Sequence, residues 1–270
     1  MRMDKEHKAY QYAYAVSKNK INAPKYVKLQ VKQFLKIANN RDKQYIVDEQ
    51  KLKTMNELLK LLVMPKGLQA GQTVYNALAG FQWLFLVAVL CIVHKDNHAK
   101  RRYENAILEI CRKNGKTFLV GLIFIILMFL EPKYSKFYSV APDGSLSREV
   151  KTAIEEIIGS SPALLGKLNG KEKFKLLRDY IHCNITENRY IPLNYSTSRL
   201  DGKLPSVFLV DETGALPNTY AIEAMRSGQL TILNKLGIII STKYPTITNP
   251  FEDEVEYAKR VLTGAVDDDK

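Results

Sequence analysis

The segment Cys111-Arg112-Lys113-Asn114-Gly115-Lys116-Thr117 lies between a strand-like apolar run and a helix-like one. That is the setting in which a loop can hold phosphate. Backbone N–H groups of the loop and of the following helix N-terminus converge on the anion, and the aligned peptide dipoles favour its charge. Gly115 permits close approach of the backbone. Lys116 supplies a point charge for β- and γ-phosphates, and the Thr117 hydroxyl suits Mg²⁺. Lys113 and Asn114 complete the expected phosphate-binding loop. The general pattern G-x-x-x-x-G-K-[ST] has glycine where this chain has Ile110. Gly-Lys-Thr alone also reads as an ordinary basic helix start, so the loop needs support from elsewhere in the chain.

Ser206-Val207-Phe208-Leu209-Val210-Asp211-Glu212 gives that support. An apolar strand ending in two carboxylates places both at the carboxyl end of the strand, where α/β sheets bind ligands. Asp211 is then suited to hold Mg²⁺, directly or through water. Glu212 is suited to orient and deprotonate an attacking water. In isolation this ending is also a solvated strand terminus; paired with the loop it forms an NTPase signature. A third run, Gly237-Ile238-Ile239-Ile240-Ser241-Thr242, ends in two hydroxyls. Such a segment senses the γ-phosphate and couples hydrolysis to motion in translocating NTPases, although hydroxyls after a strand are also ordinary turn chemistry.

These residues need a scaffold. Residues 4–62 read as amphipathic helices, with Pro24 starting the second and Asn22 as its cap candidate. Residues 65–80 carry three glycines and read as a linker. From residue 81 onward strands alternate with helices: strands at 106–111, 137–140, 179–185, 189–193, 207–210 and 236–240, helices at 116–130, 147–158 and 219–225. Continuous apolar runs such as Val207–Val210 suit central strands of a parallel sheet. The expected fold is α/β, a mostly parallel P-loop-type sheet flanked by helices, behind a helical N-terminal segment. The expected division is 1–65 helical, 66–250 P-loop ATPase domain, and 251–270 a C-terminal helix or linker.

Of 270 residues, 46% are hydrophobic and 25% charged, which supplies a sizeable core and excludes wholesale disorder. Three cysteines, none in a CxxC pair, exclude a disulfide scaffold and argue against a cysteine zinc site. The net charge is +12, of which about +8 lies in residues 1–60, where 14 Lys/Arg face 6 Asp/Glu. A polyanion partner fits this balance, as does a simple solvated face. The apolar runs 81–93 and 118–130 are shorter than the roughly 20 residues a membrane span requires. No membrane partner and a cytoplasmic location, with no secretory leader, are therefore expected.

Phe81-Gln82-Trp83, the Arg-bearing loop CRKNGKT, VFLVDE and IIISTKYPT, in that order, together with Leu200-Asp201-Gly202, resemble the ATPase domain of the large terminase subunit of tailed bacteriophages. The resemblance covers about residues 75–265. That family's phosphate loop often lacks its first glycine and carries an arginine at the place of Arg112, which accommodates Ile110. The resemblance implies ATP and Mg²⁺ as cofactors, and packaging of double-stranded DNA into a procapsid within an infected bacterium. It further implies that Gln82 reads the adenine edge and that Arg112 lies over the γ-phosphate. Lys116 and Thr117 then bind phosphates and Mg²⁺, Asp211 holds the metal, Glu212 is the catalytic carboxylate, and Ser241 and Thr242 couple. Self-assembly into a ring, a portal protein and a small terminase subunit follow as expected partners, with Arg148, Arg199 and Arg226 as candidates for an arginine supplied in trans. The family's C-terminal nuclease domain has no counterpart before Lys270, so DNA cleavage by this chain is not expected. Two other readings stand beside this one. The chain can be another P-loop enzyme, a helicase-like ATPase or a nucleotide kinase. Or it can be a non-enzymatic basic DNA-binding or assembly module with a degenerate loop. Ile110 favours the module, and Glu212 favours the enzyme.

Overall fold

The apolar runs become strands and helices whose polar ends meet at one edge. The computed structural model describes residues 2–196, 200–246 and 248–268. The chain divides into two compact units. The first comprises Met1–Thr54, Leu78–Glu104 and Glu256–Lys270, and the second Met55–Ala77 and Asn105–Val255. Residue 65 thus falls inside the second unit.

The first unit contains α1 (Lys8–Ser17), α2 (Lys25–Ala38), β1 (Tyr45–Val47) and the start of α3 (Glu49–Leu61). The second unit takes in the rest of α3 and a single turn, α4 (Val74–Ala77). The chain then re-enters the first unit as α5 (Gly80–Cys91) and β2 (Ile92–His94). β1 and β2 pair antiparallel. α5 is apolar on all sides and accordingly buried, Trp83 completely so. Its start packs so closely on α1 that a Cβ on Gly80 would meet the Tyr12 ring at 2.4 Å. α2 begins after Pro24, which itself occupies the cap position, and no side chain caps it. The expectation of an Asn22 cap is corrected: proline presets φ and lacks an N–H, so the turn starts without side-chain help.

The second unit is built on a seven-stranded sheet. Its elements in chain order are β3 (Asn105–Glu109), α6 (Lys116–Leu130), β4 (Lys136–Ala141), α7 (Gly144–Ser160), a two-stranded hairpin of β5 (Lys167–Leu168) and β6 (Lys171–Glu172), then β7 (Phe174–Leu176), β8 (Ile181–Cys183), β9 (Asn188–Asn194), β10 (Val207–Asp211), α8 (Tyr220–Ser227), β11 (Leu236–Ser241) and α9 (Pro250–Leu262), of which the first unit takes the last turns. The sheet order is β3-β11-β10-β4-β9-β8-β7. Neighbours from β3 to β9 are parallel, and β8 and β7 extend the sheet antiparallel. The fold is therefore mixed α/β with a mostly parallel sheet.

Every residue of β10 and β11 is buried, as strands covered on both faces require. Phe208, Val210, Tyr138 and Ile239 face one side, packed with Ile222 and Met225 of α8 and Phe251 and Val255 of α9. The alternate residues face α6 and α7; Phe124 of α6 lies 4.7 Å from Tyr190 of β9 by ring centroids. α6 and α7 cross at Gly121, where an added Cβ would stand 3.2 Å from the Ala153 Cβ and 3.3 Å from its backbone. A larger side chain must push the helices apart. Gly121→Val is expected to lower stability by about 1–3 kcal/mol, measured as a fall in denaturant midpoint. An unchanged midpoint would mean that the crossing is looser than described. No helix among the described residues is long and apolar enough to cross a membrane.

Candidate nucleotide site

Because β3, β11 and β10 are parallel neighbours, their carboxyl ends share one edge of the sheet. Ser241 pairs with Glu109, and Asp211 with Ile240. The strand ending in hydroxyls therefore lies between the strand that feeds the phosphate loop and the strand that ends in carboxylates. The loop is tied directly to that middle strand, since the Ile110 N–H donates to the Ser241 carbonyl at 3.1 Å.

The loop turns through two left-handed residues, Lys113 (φ 65) and Gly115 (φ 74). The Asn114 carboxamide donates to the carbonyls of Cys111 (3.2 Å) and Arg112 (3.3 Å), which folds the loop on itself. Gly115 occupies the cap position of α6 and has no side chain to cap with. The first N–H groups of α6 are thus left for an anion. Cys111 to Gly115 are exposed, while Lys116 and Thr117 are partly buried at the start of the helix.

Lys116 reaches across to both carboxylates. Its Nζ lies 2.9 Å from Asp211 Oδ1 and makes a short contact with Glu212 Oε1. Burial opposes the ammonium charge, but the attraction of Asp211 and the hydrogen bonds to both carboxylates outweigh it, and Lys116 is held above the ordinary lysine value. Burial dominates at Asp211 and raises its carboxyl above the usual range, against the pull of Lys116. Glu212 adopts φ 47, ψ 43, a left-handed conformation that a non-glycine residue takes only under surrounding constraint. The constraint is visible: the Glu212 N–H donates to Asp211 Oδ1 at 2.8 Å, ending β10 in a tight turn.

The turn after Glu212 is fastened to β11. The Thr213 hydroxyl donates to the Val210 carbonyl at 3.0 Å and approaches the Ile240 carbonyl at 3.5 Å. The Gly214 N–H donates to Ser241 Oγ at 3.2 Å. Ser241 and Thr242 are both buried. The Tyr244 hydroxyl reaches Glu212 Oε2 at 3.4 Å. Thr213, Gly214 and Tyr244 were not among the sequence candidates. Tyr244 stands within the run IIISTKYPT, yet its neighbours in the chain give no sign of its partner.

The structure thus brings together Lys116, Asp211, Glu212 and Ser241. Gln82 belongs to the other unit, where its carboxamide oxygen accepts the Ala79 N–H at 2.9 Å and closes the start of α5. Arg148 is exposed on the first turns of α7. Arg226 makes a two-pronged ion pair with Glu254, at 2.7 and 2.8 Å, and a further contact to Asn105. Arg199 lies outside the described residues.

Two carboxylates and one hydroxyl are hard oxygen donors and suit Mg²⁺. Among the described residues no group of three or more His, Cys, Asp or Glu could hold a metal unaided. A Mg²⁺ site requires no such group, because one or two carboxylates suffice when substrate phosphates and water complete the shell.

A family model described as the terminase large subunit, ATPase domain, matches residues 85–260. No curated protein matches. Among solved structures, the large terminase of bacteriophage HK97 is 21% identical, with a TM-score of 0.60; the alignment covers 78% of this chain and 41% of that one. The large terminase ATPase domain of Thermus phage P74-26 is 17% identical, with a TM-score of 0.42 and coverage of 53% and 61%. The large terminase of the thermophilic bacteriophage D6E is 13% identical, with a TM-score of 0.45 and coverage of 58% and 38%. The HK97 likeness is one of fold. The chain spans about two-fifths of that relative's length.

Proposed function

Because the chain belongs to the terminase large-subunit ATPase-domain family, we propose that it is a Mg²⁺-dependent ATPase that drives double-stranded DNA into a procapsid. The observation that carries the reading is Lys116 at the mouth of the phosphate loop, in contact with Asp211 and Glu212 at once. A basic helix start with no ligand would have no reason to draw two carboxylates from a strand end elsewhere in the chain.

Phosphate entering the loop competes for Lys116. The ammonium then leaves the carboxylates for the β- and γ-oxygens, while the uncapped N–H groups of α6 take further phosphate charge. Mg²⁺, held by Asp211 and Thr117, would neutralise the phosphates. Glu212, released by Lys116, orients a water for in-line attack and accepts its proton. In this reading Arg112 lies over the γ-phosphate and Gln82 reads the adenine edge. Ser241, fastened to the turn after Glu212 through Gly214, and Thr242 beside it carry the loss of the γ-phosphate onward. Ring assembly, an arginine in trans, a portal and a small terminase subunit belong to the same reading. Arg148 suits the trans role better than Arg226, whose guanidinium is already paired with Glu254.

DNA contact is expected to be electrostatic. The test is ATP hydrolysis by this chain, measured with duplex DNA between about 50 and 200 mM salt, beside nucleotide titration by calorimetry. Hydrolysis dependent on Mg²⁺, with DNA affinity falling by an order of magnitude or more over that range, is the expected result. Absence of any nucleotide binding would overturn the ATPase reading. DNA affinity indifferent to salt would overturn the electrostatic one.

A further inference from the structure

We propose that Tyr244 is a positioning residue for Glu212, and that it ties the carboxylate mechanically to the strand end bearing Ser241 and Thr242. The inference rests on the ATPase reading of the site and extends it to a residue that reading does not use.

Two observations carry it. The Tyr244 hydroxyl donates to Glu212 Oε2 at 3.4 Å, while the other oxygen, Oε1, is the one in contact with Lys116. The carboxylate is therefore held at both ends, by groups on different elements. Independently, the Tyr244 ring packs close against the turn after Glu212: a Cβ on Gly214 would meet it at 2.5 Å. The ring packs where only glycine leaves room, and the hydroxyl is carried to the carboxylate by that packing. Gly214 is itself bonded to Ser241 through its N–H. The turn bearing the carboxylate and the segment from Ser241 to Tyr244 thus form one knot, with a hydrogen bond at one end and a ring-on-backbone contact at the other.

The two grips on Glu212 differ in kind. Lys116 is the group that phosphate would attract, so its hold on Oε1 is lost when nucleotide binds. Tyr244 has no such competitor, and its hold on Oε2 persists. Oε1 is then free for water while the carboxylate plane stays fixed, which is the state in-line attack needs. Burial, reinforced by the Glu212 charge and hydrogen bond, raises the Tyr244 phenol above its ordinary value, so it remains a donor at neutral pH.

The test is Tyr244→Phe in the full chain, which keeps the ring and removes the hydroxyl. Loss of a hydrogen bond to a charged group predicts a fall of about tenfold in kcat for ATP hydrolysis, with KM for ATP within about twofold of wild type and an unchanged melting temperature. A purely structural tyrosine would give the opposite pattern, a lower melting temperature with kcat per folded molecule intact. Gly214→Ala is the second variant. It keeps the hydroxyl group but displaces the ring that carries it, and should lower kcat to a similar degree. In the double variant the two losses should fall well short of multiplying. Wild-type kcat in folded Tyr244→Phe would overturn the positioning role and leave the ATPase reading standing. Fully multiplicative losses in the double variant would overturn the link between ring and hydroxyl. A wild-type chain that binds no ATP would remove both inferences together.

Discussion

Glutamine in place of Glu212 is expected to lower ATP turnover by about 10²- to 10⁴-fold, the range for loss of a positioned general base, while ATP remains bound. The substitution conserves shape. The carboxamide oxygen can still accept from Tyr244, and the backbone turn through Asp211 Oδ1 does not involve the side chain. What is lost is the basic oxygen nearest Lys116. Lys116 keeps its 2.9 Å contact with Asp211 but loses one of its two anionic partners. Phosphate then has less to compete with, so affinity should hold or rise. Single-turnover hydrolysis beside calorimetric titration separates the two effects. Turnover within tenfold of wild type would remove Glu212 from the role of base.

Lys116→Met has the second large effect, and it acts on both ligand and fold. Nucleotide affinity should fall by about two orders of magnitude, since the charge meeting the β- and γ-phosphates is gone. Stability should fall as well. Asp211 and Glu212 are left without their buried cation, and breaking such a pair from one side costs about 3 kcal/mol at neutral pH. The sign of the pH dependence follows from Asp211. Its carboxyl is already above the ordinary value of 3.8 through burial, and removing Lys116 removes an influence that lowered it. A folded state that holds its proton more tightly than the unfolded chain loses stability as pH rises through the carboxylate range. The deficit of Lys116→Met should therefore be largest at neutral pH and shrink toward pH 4. Lys116 itself acts in the alkaline range: its charge contributes fully below its ordinary value of 10.5 and is lost as pH climbs past its raised folded value. Unfolding midpoints of the two proteins across pH would check both limbs. A deficit independent of pH would mean lost packing rather than a stranded charge.

Much of this unit was legible before its structure. The helix expected at 116–130 is found as Lys116–Leu130, because Gly115 starts it and Glu131-Pro132 stops it. Val207–Val210 and Leu236–Ile240 are central strands, as continuous apolar runs imply. Periodicity could not separate β2 from α5, since a run apolar on every side carries no period to read. β7, the outer strand of the antiparallel extension, was hidden for a different reason. β7 is only three residues long and exposes Lys175 and Leu176, so its character comes from pairing with β8 and not from its own side chains. The fold of the first unit also returns to the chain twice, at Leu78 and at Glu256, which local composition does not signal. Within the site, the groups that act by charge were readable from residue type. Tyr244 was not, because its role depends on a partner 32 residues away and on the absence of a side chain at Gly214.

The middle position of β11 limits how a motor built on this sheet can work. The strand is laddered to β10 along one edge and to β3 along the other, five residue pairs on each side. Sliding it by one residue would move every side chain to the opposite face of the sheet and break the register on two seams at once. A piston stroke along the strand would break both ladders, so in the proposed motor the sheet is expected to act as the stator. In the proposed motor, displacement on phosphate release is expected to begin past Ser241, where the ladder to β3 ends. The stroke would then be a crank pivoting on a fixed bearing, its axis set by the register of the sheet.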